Sequence, residues 1–154
     1  MLAPGSRAPE ILATELDGTQ VAVSDLLAGG PVLAAFFKVS CPTCQYTLPF
    51  LQRMADQKGL TIIGISQDDA GPTRAFCKTY GVRFPVLLDA AGSKYPLSNA
   101  YKLRSVPSCF LIEPDGSISM AVQGFSRDDL AAIGHRFHTP PFRTNEDIPA
   151  FRPG

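Results

Sequence analysis

An α/β fold, with a central mixed β-sheet flanked by helices, is predicted by three observations. Apolar runs alternate with segments of helical periodicity, which is the pattern of strands joined by crossover helices. Val32-Leu33-Ala34-Ala35-Phe36-Phe37 is an unbroken apolar run of six, as expected of a strand buried on both faces of a sheet with a parallel core. Later in the chain, Ser108 to Glu113 and Ser117 to Gln123 flank Pro114-Asp115-Gly116, a hairpin signal that adds antiparallel strands.

The elements follow in order. Residues 1–20 carry Pro4, Pro9 and Gly18 and read as irregular or edge-like. Val21 to Leu26 reads as a short strand running into a turn, punctuated by Gly29-Gly30-Pro31. A helix is expected from the residues after Val32–Phe37. Pro42 suits its first turn, and Thr47, Phe50, Leu51 and Met54 fall on one mostly apolar face. Pro49 should kink this helix and Gly59 should end it. Leu60 to Ser66 is a second buried strand. Gly71-Pro72 opens another helix, with Thr73, Phe76, Cys77 and Tyr80 on one face and Gly81 as its stop. Phe84 to Asp89 is extended, and residues 93–102 suit a brief helix. Ser126-Arg127-Asp128-Asp129 resembles a capping box ahead of a last helix lined by Leu130, Ile133, Gly134 and Phe137. Residues 1–138 thus read as one domain. Residues 139–154 hold four prolines without periodicity and form a tail, extended on the domain or disordered.

The 154 residues suit a single core, and 45% apolar with 18% charged residues is a globular balance that needs no disulfide staples. Formal net charge is zero and like charges form no long block, which argues against nucleic acid or an anionic membrane as partner. No apolar run is long enough to span a bilayer. The N-terminus lacks the apolar segment of a secretory signal, so the expected location is cytoplasmic, or exported if a signal has been removed.

Four cysteines are present, and their spacing carries the chemistry. Cys41-Pro42-Thr43-Cys44 sits between a buried strand and a helix. A helix N-terminus offers unpaired N–H groups and the positive end of the dipole, both of which favour a thiolate. Such placement lowers a thiol pKa from about 8.5 into a range of roughly 3.5–7.5. Cys41 can then attack a disulfide near neutral pH, and Cys44, one turn on and more buried, can resolve the mixed disulfide. A structural zinc would want a second close pair of ligands. Cys77 and Cys109 stand alone, and His135 and His138 lie on the distant last helix. Cys77 and Cys109 read as small core hydrophobes, and Lys38 as a support for the thiolate or simply a solvated lysine.

Phe36-Phe37-Lys38-Val39-Ser40-Cys41-Pro42-Thr43-Cys44 resembles the active-site strand and helix of the thioredoxin superfamily. Pro49 matches that family's helix-kinking proline, and Ser105 to Ile112 resembles its cis-proline loop and the strand after it. The stretch Thr61 to Asp89 resembles the TlpA/ResA and AhpC/TSA (redoxin) branch. The resemblance covers about residues 4 to 137. It implies a thioredoxin-like fold and a thiol–disulfide oxidoreductase with Cys41 attacking and Cys44 resolving. It implies a cis Pro107 facing the dithiol, with the Val106 backbone turned outward to meet an extended substrate strand. Pro42 and Thr43 would tune the couple. The cofactor would be none beyond the dithiol itself. Partners would be protein disulfides and a dithiol reductant, with the chain a monomer or weak dimer. Departures exist: Phe37 stands at the usual tryptophan, Ala35 at the buried carboxylate and Thr47 at the glutamate of ResA-like proteins. Two other readings use the same residues. A peroxiredoxin-type peroxidase would want a threonine where Lys38 stands and an arginine where Pro107 stands. A non-catalytic or copper-binding module would need an inert dithiol or a histidine beside it.

Overall fold

Core formation in this chain starts from one strand. β3 (Val32–Phe37) is fully buried along its whole length, and the computed structural model, which describes residues 1–154, places it at the centre of the sheet. The five-stranded order is β5-β4-β3-β6-β7, with β4 (Thr61–Ser66) and β5 (Val86–Leu88) parallel to β3. β6 (Ser108–Ile112) runs antiparallel to β3, and β7 (Ile118–Gln123) antiparallel to β6. Crossover helices make the parallel half possible, and the Pro114-Asp115-Gly116 hairpin makes the antiparallel half.

Successive side chains of a strand point to opposite faces, so β3 feeds two cores. Leu33, Ala35 and Phe37 meet α2 (Pro42–Asp56), α3 (Ala70–Tyr80) and α5 (Arg127–Phe137) through Leu48, Leu51, Phe76, Leu130 and Ile133. Val32, Ala34 and Phe36 meet Ile11, Val23 and Tyr101 on the other face, beneath the short helices α1 (Val23–Leu26) and α4 (Pro96–Ala100). Phe36, Tyr101 and Phe110 form an aromatic triad with centroids 4.9–5.8 Å apart. The Tyr101 hydroxyl, inside this apolar packing, donates to the Pro9 carbonyl at 2.6 Å. Asp89, almost fully buried, accepts from the Leu97 and Ser98 amides and the Ser98 hydroxyl, so it caps the start of α4.

The expected elements are present, with two differences. Val21 to Leu26 is not a strand into a turn: β2 (Gln20–Ala22) pairs with β1 (Leu12–Thr14), and the chain then turns at once into α1. Tertiary burial of Val23 in the second core outweighs its β-preference. Gly59 does not stop α2. The helix ends at Asp56, Lys58 takes the left-handed conformation, and Gly59 is small because a Cβ there would lie 2.3 Å from the Phe137 carbonyl oxygen. The tail lies on the domain, one of its two expected courses, anchored at separate points along its length. Phe142 stacks edge-on with Phe50 and Phe125, and Arg53 and Glu146 form a paired-fork ion pair at 2.6 and 2.9 Å. The last residues form β9 (Phe151–Arg152), antiparallel to β8 (Phe125–Ser126). Ser126 caps α5 by accepting from the Asp129 amide, half of the expected box. Gly81 ends α3 in the left-handed conformation, as expected.

The triad fills the second core beneath α1 and α4. Phe110→Ala, which opens a cavity between Phe36 and Tyr101, should cost about 3–5 kcal/mol in urea unfolding.

Candidate active site

The site lies where β3 ends and α2 begins, at the carboxyl edge of the parallel strands, where the order switches from parallel β4 to antiparallel β6. Cys41 occupies the N-cap position of α2, with φ −86° and ψ 114°. Its sulfur accepts the amide of Cys44 at 3.1 Å. A thiol thus takes the place usually held by a serine or aspartate oxygen, satisfying one of the orphan donors of the first turn. Pro42 follows at the first helical position, where it has no amide to leave unpaired.

The loop ahead of Cys41 is held on three sides. The Cys41 amide donates to the Lys38 carbonyl, Gln45 Nε2 donates to the Val39 carbonyl, and the Val39 amide donates to Asp68 Oδ2 at 2.8 Å. Asp68 stands just beyond β4, the parallel neighbour of β3. The carboxyl end of a neighbouring parallel strand is where such a residue can be sought, but that criterion alone does not separate Asp68 from Asp69. The Lys38 side chain is exposed and makes no hydrogen bond, so the backbone of Lys38, not its ammonium, contributes here.

From the far side comes the loop before β6. The Val106–Pro107 peptide is cis, as the resemblance implied. The Cys41 thiol donates to the Val106 carbonyl at 3.4 Å, which puts the proline loop directly against the leading sulfur. The Pro107 carbonyl is bound inward by the Gly124 amide at 2.8 Å. Cys41, Pro42, Thr43, Cys44, Val106 and Pro107 therefore converge.

The two thiols of the motif differ sharply. Cys41 is partly exposed, whereas Cys44 is fully buried against the first core. Burial, ahead of its hydrogen bond with Cys41, pushes the Cys44 thiol far above its ordinary value; a backbone hydrogen bond from Lys38 opposes this. Cys109, buried in β6 opposite Ala35, is pushed up to about 12 by burial alone. Cys77 is half-buried on α3, and burial raises it too. Both read as core thiols. No three His, Cys, Asp or Glu side chains gather as a metal site. His135 and His138 line a separate cleft with Pro140, Pro141 and Phe142.

The three departures have visible consequences. Phe37 stacks on Phe76 with centroids 5.0 Å apart. Thr47 is buried and donates back to the Thr43 carbonyl at 2.7 Å, a bond within the helix and not toward sulfur. Ala35 faces Cys109 across the β3–β6 ladder, leaving that place without a carboxylate. A polar cleft of about 210 Å³, bordered by Gln67, Tyr95, Arg104 and Val106, adjoins the proline loop. The larger cleft, of about 640 Å³, lies at the other end of the sheet near Ile112 and holds no thiol.

A mixed sheet of this order, a dithiol at the N-terminus of the second helix and a cis proline against it define a thioredoxin-fold dithiol protein. The AhpC/TSA family model matches residues 4–121, and the chain belongs to that family. Thiol-disulfide oxidoreductase ResA of Bacillus subtilis (strain 168) is 28% identical over 133 residues, covering 84% of this chain and 72% of that protein. ResA of Bacillus thuringiensis subsp. konkukian (strain 97-27) is 27% identical over 124 residues, or 78% and 69% of the two chains. Among solved structures, the thioredoxin domain of a thiol-disulfide oxidoreductase from Bacteroides vulgatus superposes with a TM-score of 0.77 at 26% identity, covering 89% of this chain and 99% of that one. The protein is an oxidoreductase of the thiol–disulfide class. No helix is long and apolar enough to cross a membrane.

The difference in burial has a direct chemical readout. In the folded, reduced protein iodoacetamide should modify Cys41 first, with Cys44 and Cys109 protected until denaturant is added, as read by peptide mass spectrometry.

Proposed function

We propose that Cys41 is the attacking thiol and Cys44 the resolving thiol in the reduction of protein disulfides, with an external dithiol restoring the pair. The reading is carried by one observation: the Cys44 amide is aimed at the Cys41 sulfur at 3.1 Å, while Cys44 itself is buried. The Cys44 amide fixes the Cys41 sulfur at the N-cap, where it is partly exposed to a substrate disulfide, and the thiolate is the nucleophile of disulfide exchange.

In the forward direction, the Cys41 thiolate attacks one sulfur of the substrate disulfide. A Cys41–substrate disulfide forms, the substrate S–S bond breaks, and the second substrate sulfur leaves as thiolate and takes up a proton. Cys44 then loses its proton and attacks the Cys41 sulfur. The Cys41–Cys44 disulfide forms, and the first substrate sulfur leaves as the second thiol. Two electrons and two protons pass to the substrate, and a dithiol reductant returns them. With Ala35 and Thr47 where carboxylates stand in related proteins, the Cys44 proton has no nearby carboxylate acceptor and must reach solvent. Pro42 and Thr43 set the geometry of the pair, and Val106 and Pro107 form the surface beside it.

The hydrogen bonds at the Cys41 sulfur come from the Cys44 amide and go to the Val106 carbonyl. Neither a threonine nor an arginine side chain is among them, which supports disulfides over peroxides as oxidant.

Cys41→Ser should abolish exchange with a disulfide substrate, and Cys44→Ser should accumulate mixed disulfides seen on non-reducing gels; an active Cys41→Ser variant would refute the assignment. The resolving step should also carry the mark of a buried thiol. A raised pKa keeps Cys44 protonated, so its small thiolate fraction, and with it the decay of a preformed Cys41 mixed disulfide, should climb about tenfold per pH unit from about pH 6 to about pH 9. An ordinary thiol would level off near about pH 8.5. Stopped-flow measurement of that decay distinguishes the two.

A further inference from the structure

Residues 151–154 reach the site just described. β9 pairs with β8, with Phe125 opposite Arg152 and Ser126 opposite Phe151, and the Arg127 amide donates to the Ala150 carbonyl at 3.0 Å. This antiparallel ladder carries the following residues across the front of the CxxC helix. The Thr43 hydroxyl, inside the motif, donates to the Pro153 carbonyl at 2.6 Å. Gly154 then lies against the Val106 carbonyl so closely that a Cβ on it would stand 2.2 Å from that oxygen. The same oxygen accepts the Cys41 thiol. Gly124, at φ +73°, admits the approach from below, since a Cβ there would fall 2.6 Å from the Arg152 carbonyl oxygen.

We infer that Phe151–Gly154 is a strap docked over the substrate entrance beside Cys41, which a polypeptide substrate must displace before its disulfide can meet the sulfur. This rests on the exchange mechanism above. The strap touches the two segments that flank Cys41, namely Thr43 on the helix and Val106 on the proline loop. Any extended chain presenting a disulfide to Cys41 needs that same space. A small disulfide, with no flanking backbone, needs much less of it.

The anchorage suits displacement. Upstream, the tail is fixed firmly: Phe142 packs against the aromatic cluster and Glu146 pairs with Arg53. Beyond Ala150 the contacts thin to two ladder pairs, one hydroxyl bond, the Arg152 guanidinium stacked 4.5 Å from the Tyr46 ring centroid and the approach of Gly154 to the Val106 carbonyl. Phe151 projects into solvent with 57% of its surface exposed. The strap is therefore a tethered competitor: held near the site by residues 142–150, and weakly bound in it. Its backbone is extended, a glycine meets Val106, and a cation covers Tyr46, so a displacing peptide with those features is the best competitor.

The test compares the reduced full chain with a chain ending at Ala150, each mixed in single turnover with insulin and, separately, with hydroxyethyl disulfide. A strap docked about nine-tenths of the time lowers the rate for a substrate it blocks about tenfold. Truncation should accordingly raise the second-order rate constant for insulin about tenfold and change that for hydroxyethyl disulfide less than about twofold. A synthetic peptide of residues 148–154 should restore the slow rate in the truncated chain, competitively with insulin. Arg152→Glu in the full chain, a change at a half-buried side chain on the Tyr46 ring, should give part of the same acceleration and serves if truncation impairs folding. Equal insulin rates in the full chain, the truncated chain and Arg152→Glu would overturn the strap while leaving the exchange mechanism standing. Failure of every chain to react with either disulfide would instead overturn the mechanism and the strap with it.

Discussion

The exchange chemistry proposed for this protein depends on a single contact, the amide of Cys44 pointing at the sulfur of Cys41. A helix must begin with donors that have no partner within the helix, and here one of them is given to a thiol. Everything around serves to hold that thiol at the N-cap. β3 delivers the chain to the edge of the sheet, Pro42 starts the helix without an amide to spare, and Asp68 and Gln45 fix the connecting loop by its backbone. The proline loop closes the other side and offers its Val106 carbonyl to the same sulfur.

Asymmetry between the two thiols comes from packing. Cys44 points into the core that Leu48, Leu51 and Phe37 build on one face of the sheet, and desolvation holds its proton. Cys41, one turn earlier, stays at the surface. The same helix thus makes one cysteine available and the other reserved, which is the order of events that exchange through a mixed disulfide requires. Ala35 faces Cys109 and Thr47 bonds back to the Thr43 carbonyl, so neither position brings a carboxylate to Cys44 and the asymmetry stands without one.

The tail changes the meaning of the surface. A Pro-rich segment without periodicity is ordered here because aromatic packing at Phe142 and the Arg53–Glu146 pair fix its course, so that its last residues arrive beside the dithiol. Substrate entry, on this view, is governed by a competition between an attached strand and an incoming one, with the attached strand enjoying a high local concentration and few contacts.

Much of this was legible in the residues themselves. Buried strands at 32–37 and 61–66, the hairpin at Pro114-Asp115-Gly116 and the CxxC at a helix start are local patterns, and local sterics and burial preference decide them. Where local preference and tertiary burial disagreed, as at Val23 and Gly59, burial and close approach prevailed: one residue was drawn into a helix by the core beneath it, the other kept small by the Phe137 carbonyl. Asp68 escaped notice because a carboxylate after a strand is common, and only the parallel pairing of β3 and β4 brings it to the Val39 amide. The sequence by itself determined the fold class, the reacting dithiol and the hydrophobic order of the sheet, since each is written in neighbouring residues. Only the tertiary structure decided that Val106 meets Cys41 and that residues 151–154 lie across the pair, because those contacts join positions 65 and 110 residues apart, and no local preference encodes such a distance.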